Sequence, residues 1–292
     1  MTSSRKSQWL VAVAASVVAF VLLAVGFWFT HEGLNEAVFL VVPFLTGLAI
    51  AFMTRGIRVA MVCSMSSLLL SLSVLLMTGL EGVLCVFMAF PVLFVGIGLG
   101  ALVGVGLGRK FIHRYGQVGV VLVVLVGMGL LGWTHGKPSE PRSLTVSTSM
   151  RFHADPDSVW DAVVATGKLQ GDDSVLRMLG LPVPLECTLD EDGRRTCSFD
   201  SGEMVQQVTE QRRGEVFRVA IVESLPLRDW ITFESAEYRF VKGEGFVDVI
   251  RTDWITSTLR PRWYWHWFET QGVRFEHRYV MESMREKSAQ AR

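Results

Sequence analysis

Five stretches of this sequence run without a single Asp, Glu, Lys or Arg over nearly the length a bilayer demands: residues 9–30, 37–53, 59–80, 83–107 and 118–133. A helix needs roughly 20 apolar residues to cross the hydrocarbon. A soluble helix that is apolar on every side needs a large protein around it, and here the runs follow one another directly. The expected architecture of residues 1–134 is therefore an all-α transmembrane bundle of about five helices. The first run is not read as a cleaved leader despite Arg5 and Lys6 ahead of it, because it is too long and Phe27-Trp28-Phe29 is a poor cleavage region.

Loop charge sets the expected orientation. Arg5 and Lys6 precede the first run, Arg55 and Arg58 lie between the second and third, and Arg109, Lys110 and Arg114 lie between the fourth and fifth. The alternate loops carry no Lys or Arg, so the amino terminus is expected in the cytoplasm of an integral cell-membrane protein. Everything after the fifth run is then extracytoplasmic, or periplasmic in a Gram-negative cell; a re-entrant fifth run would reverse this. Ion-coupled transport usually needs ionisable groups near the midplane, and the runs supply none. Gly96, Gly100, Gly104 and Gly108 recur every fourth residue, a helix-packing stripe that allows close backbone approach within one chain or between copies, leaving a homo-oligomer open. Gly98 and Gly106 do not make a phosphate loop, since no strand precedes them.

Residues 135–142 have linker composition, with Gly136, Pro138 and Pro141, and residues 143–288 have the length of one domain before a short tail at 289–292. Residues 144–152 alternate as a strand, and Asp155-Pro156-Asp157-Ser158 supplies a cap, an N1 proline and early negative charge for a helix through Val164. A second short helix is expected at 172–178. Six strands follow at 185–189, 195–199, 204–212, 215–223, 232–240 and 245–257, punctuated by glycines, and then one helix over 262–286. On that helix Tyr264, Phe268, Gln271, Phe275 and Tyr279 are expected to share the buried face, with Trp267 beside them. The order implies an α+β fold in which an antiparallel sheet curves around its last helix.

Cys63 and Cys85 lie inside apolar runs and read as packing residues. Cys187 and Cys197 flank Asp190-Glu191-Asp192-Gly193-Arg194. A three-residue hairpin loop with Gly193 left-handed makes Asp190 face Arg194, which sets Cys187 opposite Cys197 within disulfide reach. The orientation argument places them in an oxidising compartment. Two reduced core thiols remain an alternative, and a metal site lacks the nearby histidine pair.

The strand Thr145-Val146-Ser147 followed by Ala154-Asp155-Pro156-Asp157-Ser158-Val159-Trp160, and the closing Arg260-Pro261-Arg262-Trp263-Tyr264-Trp265 through Glu276-His277-Arg278-Tyr279-Val280, resemble the START-like (SRPBCC) superfamily of helix-grip domains, its polyketide cyclase/dehydrase-like branch in particular. The resemblance covers the second half of the chain. It implies an apolar cavity between sheet and last helix, used by relatives for lipids, sterols, polyketides or other hydrophobic molecules; some relatives are enzymes and many only bind.

The expected function is binding of a lipid or hydrophobic small molecule by a membrane-tethered domain, without catalysis. Its cavity would be lined from Trp160, Trp230, Phe233, Tyr238, Trp254, Trp267, Phe268 and Phe275. The alternatives are a cyclase or dehydratase acting on a hydrophobic substrate, and a sensor signalling through its helices. His153, His266, His277, Glu223, Glu234, Asp248 and Asp253 are the groups from which an enzyme would draw. No cofactor, metal signature, nucleophile elbow or phosphate loop is found. Lys and Arg together number 28 and Asp and Glu 28, so nothing points to nucleic acid.

Overall fold

The polar break after the apolar runs divides the chain into two units, Met1–Ser139 with Leu259–Pro261, and Glu140–Thr258 with Arg262–Arg292. A computed structural model of the chain describes residues 40–54, 56–78, 83, 85–107, 126–127, 140–169, 171, 173–224 and 231–290.

In the first unit, helices α1 (Val42–Met53), α2 (Ile57–Met77) and α3 (Cys85–Leu107) are described. Among the described residues only α2 and α3, at 21 and 23 residues, are long and apolar enough to cross a bilayer. Of the five expected runs, the third and fourth yield these two helices and the second yields a 12-residue helix. The first run and nearly all of the fifth lie outside the described residues. A side chain on Gly100 would overlap the Phe44 carbonyl, one on Gly47 the Ile97 carbonyl and one on Gly104 the Ala51 methyl, so α1 and α3 touch through backbone at these glycines. Gly96 is buried on the same helix, and Gly108 lies outside the described residues. In α2 the buried Ser67 and Ser71 hydroxyls donate to the carbonyls of Cys63 and Ser67, each at 2.8 Å. That turns their polarity back into the helix.

The second unit is an eight-stranded antiparallel sheet closed by a long helix. Its strands are β1 (Arg142–Phe152), β2 (Gly167–Lys168), β3 (Pro184–Leu189), β4 (Arg194–Phe199), β5 (Gly202–Arg212), β6 (Val216–Glu223), β7 (Ile231–Gly243) and β8 (Phe246–Ser257). They lie in the order β1-β8-β7-β6-β5-β4-β3-β2. The two-residue β2 is the strand that periodicity could not show, being too short to alternate. Helices α4 (Pro156–Val164) and α5 (Ser174–Leu179) intervene after β1, and α6 (Arg262–Gln290) closes the fold, running into the expected tail. Arg142, expected in the linker, already belongs to β1.

Local chemistry accounts for these elements. The Asp155 carboxylate accepts from the amides of Asp157 at 3.0 Å and Ser158 at 3.4 Å, and Pro156 opens α4 as anticipated. Gly193 sits at φ 74°, and the Asp190 amide donates to the Arg194 carbonyl at 3.0 Å, giving the hairpin read from sequence. Cys187 accordingly pairs with Cys197, with Cα atoms 4.0 Å apart and sulfurs bonded at 2.09 Å.

Along β8 the buried residues are Val247, Val249, Arg251, Asp253, Ile255 and Ser257, every second one, so this parity lines the inside of the curve. Against it α6 sets Val273, His277, Val280, Met281 and Met284. One core cluster gathers Phe152, Trp160, Phe217, Tyr238, Phe240, Val249, Met281 and Met284. A smaller one gathers Leu144, Val146, Ile255 and Val273, with Ile231 and Phe233 against it.

Candidate functional site

Between those two apolar clusters the interior carries an ionic layer. Arg251 and Asp253 are two residues apart on β8 and so point the same way. The guanidinium grips the carboxylate in two places, Nε to Oδ1 at 3.1 Å and Nη2 to Oδ2 at 2.9 Å. Its other side meets Glu276 of α6, with Nη1 to Oε1 at 3.2 Å and Nη2 to Oε2 at 3.0 Å. The next residue of α6, His277, is wholly buried; its Nε2 stands 3.2 Å from Asp253 Oδ2, an ion-pair contact, and its Nδ1 shares a 3.0 Å hydrogen bond with Thr148 Oγ1 of β1. Thr148 and Tyr238 are the two ladder partners of Arg251, one from each neighbouring strand. One row across β1, β8 and β7 thus meets one turn of α6.

Two carboxylates share one guanidinium in this layer. Burial pushes the Asp253 carboxyl up, but Arg251 and His277 together outweigh it and hold the group below the ordinary carboxylate range. Burial opposes the charge of Arg251 as well, and Asp253 and Glu276 more than restore it. Burial raises the Tyr238 phenol, with Arg251 and Arg195 pulling the other way. Asp253, Glu276 and His277 present ligand atoms within 4.8 Å of one another, a spacing that a metal ion could use. Arg251 already supplies the positive charge there, donating to both carboxylates.

A second buried cation, Arg195 of β4, lies elsewhere on the inner face. It donates to Thr166 Oγ1 at 2.6 Å, to the Val163 carbonyl at 3.3 Å and to Gln206 Oε1 at 3.3 Å. Lys287 of α6 also donates to the Thr166 carbonyl. Two cations therefore close the carbonyl end of α4, where the helix dipole favours them. Burial draws the Arg195 guanidinium down from its usual range. Near the first turns of α6, Glu269 accepts from the Ser257 hydroxyl, and burial raises its carboxyl.

The residues expected to line a cavity separate into groups. Trp160 and Tyr238 are buried in the larger cluster and Phe233 packs against the smaller. Phe268 is half-buried within a ring cluster with Tyr264, Trp265 and Trp267. Trp230 lies outside the described residues. Three expectations are corrected. Trp254 has the opposite parity to Asp253 and Ile255 and so stands on the outer face of β8. Trp267 and Phe275 point to solvent at 61% and 42% exposure. The phase of α6 follows Val273, His277, Val280, Met281 and Met284; Phe275, two residues from Val273 and from His277, is turned about 200° away from each.

Of the titratable candidates, only Asp253 and His277 enter the interior layer. Asp248 pairs with Arg151 at 2.8 Å, Glu223 with Arg194 at 2.8 Å, and Glu234 accepts from Thr256. His266 is exposed, and His153 lies edge-on to Phe246. Sequence reasoning missed Arg251, Glu276 and Thr148. The available signal was parity: Arg251 and Asp253 interrupt the series Val247, Val249, Ile255, whereas Ile250 and Trp254 made the other face look equally apolar.

No family model and no curated protein matches the chain. Among solved structures its C-terminal half is similar to norcoclaurine synthase from Thalictrum flavum in complex with dopamine and hydroxybenzaldehyde, at 10% identity and TM-score 0.38 over 52% of this chain and 90% of that one. It is also similar to the Mll3558 protein from Rhizobium loti, at 11% identity and TM-score 0.36 over 51% and 99%. A third similar structure is Ara h 8.0201, at 9% identity and TM-score 0.36 over 51% and 99%.

Proposed function

We propose that this chain is a membrane-anchored protein whose helix-grip domain takes up a lipid or another hydrophobic small molecule and holds it without transforming it. The observation that carries the reading is the make-up of the grip's interior. Leu144, Val146, Ile255 and Val273 form a buried apolar cluster beside the Arg251 layer, with Phe233 packed against it. A molecule with a long apolar part and a small polar one matches that sequence of surfaces, as hydrophobic-ligand sites are mostly apolar with few polar groups.

The anchoring rests on α2 and α3. Val62, Leu69, Leu70, Phe87, Leu99 and Leu102 all point outward from them. In water each such side chain would forgo roughly 1.5–3 kcal/mol of burial, and a bilayer removes that cost. The absence of catalysis rests on the state of the interior charges. Asp253 and Glu276 both accept from Arg251, and the Asp253 carboxylate, held below its ordinary range, is a weak base and no acid near neutrality.

The test uses the full chain, purified in detergent, extracted with organic solvent for mass spectrometry, and then reloaded with fluorescent fatty acids, sterols and glycerophospholipids. A bound amphipathic molecule is expected, with Val273→Phe weakening reloading by about tenfold, equivalent to ~1.4 kcal/mol, and Phe275→Leu on the solvent side leaving it unchanged. A folded protein that carries nothing and binds none of the probes overturns the reading.

A further inference from the structure

The rim where the sheet of the second unit ends is also where the chain arrives from its apolar half. Arg142, the first residue of β1, is opposite Ser257, the last of β8, and Ile231, the first of β7, is opposite the same serine. Helix α6 starts at Arg262, immediately beyond, and its guanidinium donates to the Glu140 carbonyl at 3.3 Å. The residues joining α3 to this rim are 108–139.

That same rim exposes two tryptophans. Trp263 is 77% and Trp267 61% exposed. One helical turn apart, they fall on the same side of α6. Their rings continue into Tyr264, 5.8 Å from Trp263, and Phe268, 4.9 Å from Trp267, while Tyr264 and Phe268 are 5.2 Å apart. Arg142, Arg262 and His266 are exposed around them. Among the described residues, the other exposed large apolar side chains of this unit include Val175, Met178, Val222 and Val241, none of them aromatic, and Phe275 farther along α6. Indole has an apolar body with one N–H donor, which suits the boundary between headgroups and hydrocarbon, and arginine beside it suits lipid phosphate.

We propose that this rim is a bilayer-docking surface, with Trp263 and Trp267 seated at the headgroup level. The proposal rests on the anchored reading given above and adds an address to it. Leu144 and Ile255 of the smaller apolar cluster lie two residues inside Arg142 and Ser257, so a docked rim brings the apolar part of the grip to the lipid surface. A hydrophobic ligand would then pass between bilayer and grip without crossing bulk water.

The experiment places nitroxide labels one at a time in the full chain, in nanodiscs of phosphatidylcholine with phosphatidylglycerol, on a Cys63→Ala/Cys85→Ala background. The reporter is His266→Cys, beside both tryptophans. Glu244→Cys, in the β7–β8 turn roughly 35 Å away along the strand, is the aqueous control, and Leu99→Cys on α3 is the lipid control. Collisions with oxygen, which concentrates in lipid, are compared with collisions with a water-soluble nickel chelate. Docking predicts an oxygen-to-nickel ratio at position 266 several-fold above that at 244, falling to the 244 value when Trp263→Ser and Trp267→Ser are combined. If 266 matches 244 while 99 still reports lipid, docking is wrong and the anchor stands. If 99 also reports water, the anchor fails and docking with it. If 266 is shielded from nickel without a gain in oxygen, and shows spin–spin broadening that unlabelled protein dilutes away, the rim meets a second copy and the proposal is overturned.

Discussion

Arg251 is gripped by two carboxylates inside a protein interior, and removing it would leave both behind. Breaking a buried pair by deleting one partner costs about 3–5 kcal/mol, because the remaining charge loses its compensation. Arg251→Ala is therefore expected to lower stability by about that amount, measured by urea unfolding of the full chain in detergent with tryptophan fluorescence. Asp253 adds a pH dependence whose sign follows from its depressed carboxyl. Below its ordinary value of 3.8 the unfolded chain takes up a proton that the folded chain still refuses. Its contribution is thus complete above that pH and disappears as the pH falls through the lower folded value. An unfolding series in acid should show Asp253→Asn with a flatter acid limb than the parent chain. Neither residue was assigned to the interior from sequence, since a charged residue usually stays exposed and parity alone left both faces of β8 open.

At the scale of elements, α6 shows how a helix chooses its face. The sequence puts Tyr264, Phe268, Gln271, Phe275 and Tyr279 on the buried face, whereas the structure buries Val273, His277, Val280, Met281 and Met284, with Tyr279 packed beside them. That phase brings Glu276 to Arg251 and His277 to Asp253. Met281→Ala is expected to cost about 2–5 kcal/mol, as for large-to-small changes in cores. Phe275→Ala, on the solvent side, should change stability by no more than about 0.5 kcal/mol. Comparing the two unfolding midpoints checks the assignment, and the reverse ranking would restore the aromatic face. By contrast, the hairpin joining β3 to β4 was legible in advance. Its turn glycine, its loop length and its cysteine spacing are all local, and together they fixed the ladder partner of Cys187.

On the scale of the whole molecule, the anchored reading raises one question on which loop charges and the disulfide bear, namely which side of a membrane the second unit would face. The distribution of Lys and Arg predicts an extracytoplasmic domain, and a Cys187–Cys197 bond persists most readily there. A membrane-impermeant thiol reagent applied to intact cells is expected to label Glu244→Cys on the Cys63→Ala/Cys85→Ala background. Labelling only after lysis would reverse the topology and imply one span fewer or more. The sequence by itself determined the bilayer-length helices α2 and α3, the strand and helix order of the second half apart from the two-residue β2, and the ladder register that sets Cys187 opposite Cys197. Each of these depends on residues close together in the chain, through run length, period or turn chemistry. Only the tertiary structure decided which parity of β8 and which face of α6 turn inward, and hence that Arg251, Asp253, Glu276, His277 and Thr148 meet. Those residues come from three elements, β1 meeting β8 and α6 across more than a hundred positions and β8 meeting α6 across about 25, and no local pattern specifies the phase at which a curved sheet and its helix will lock.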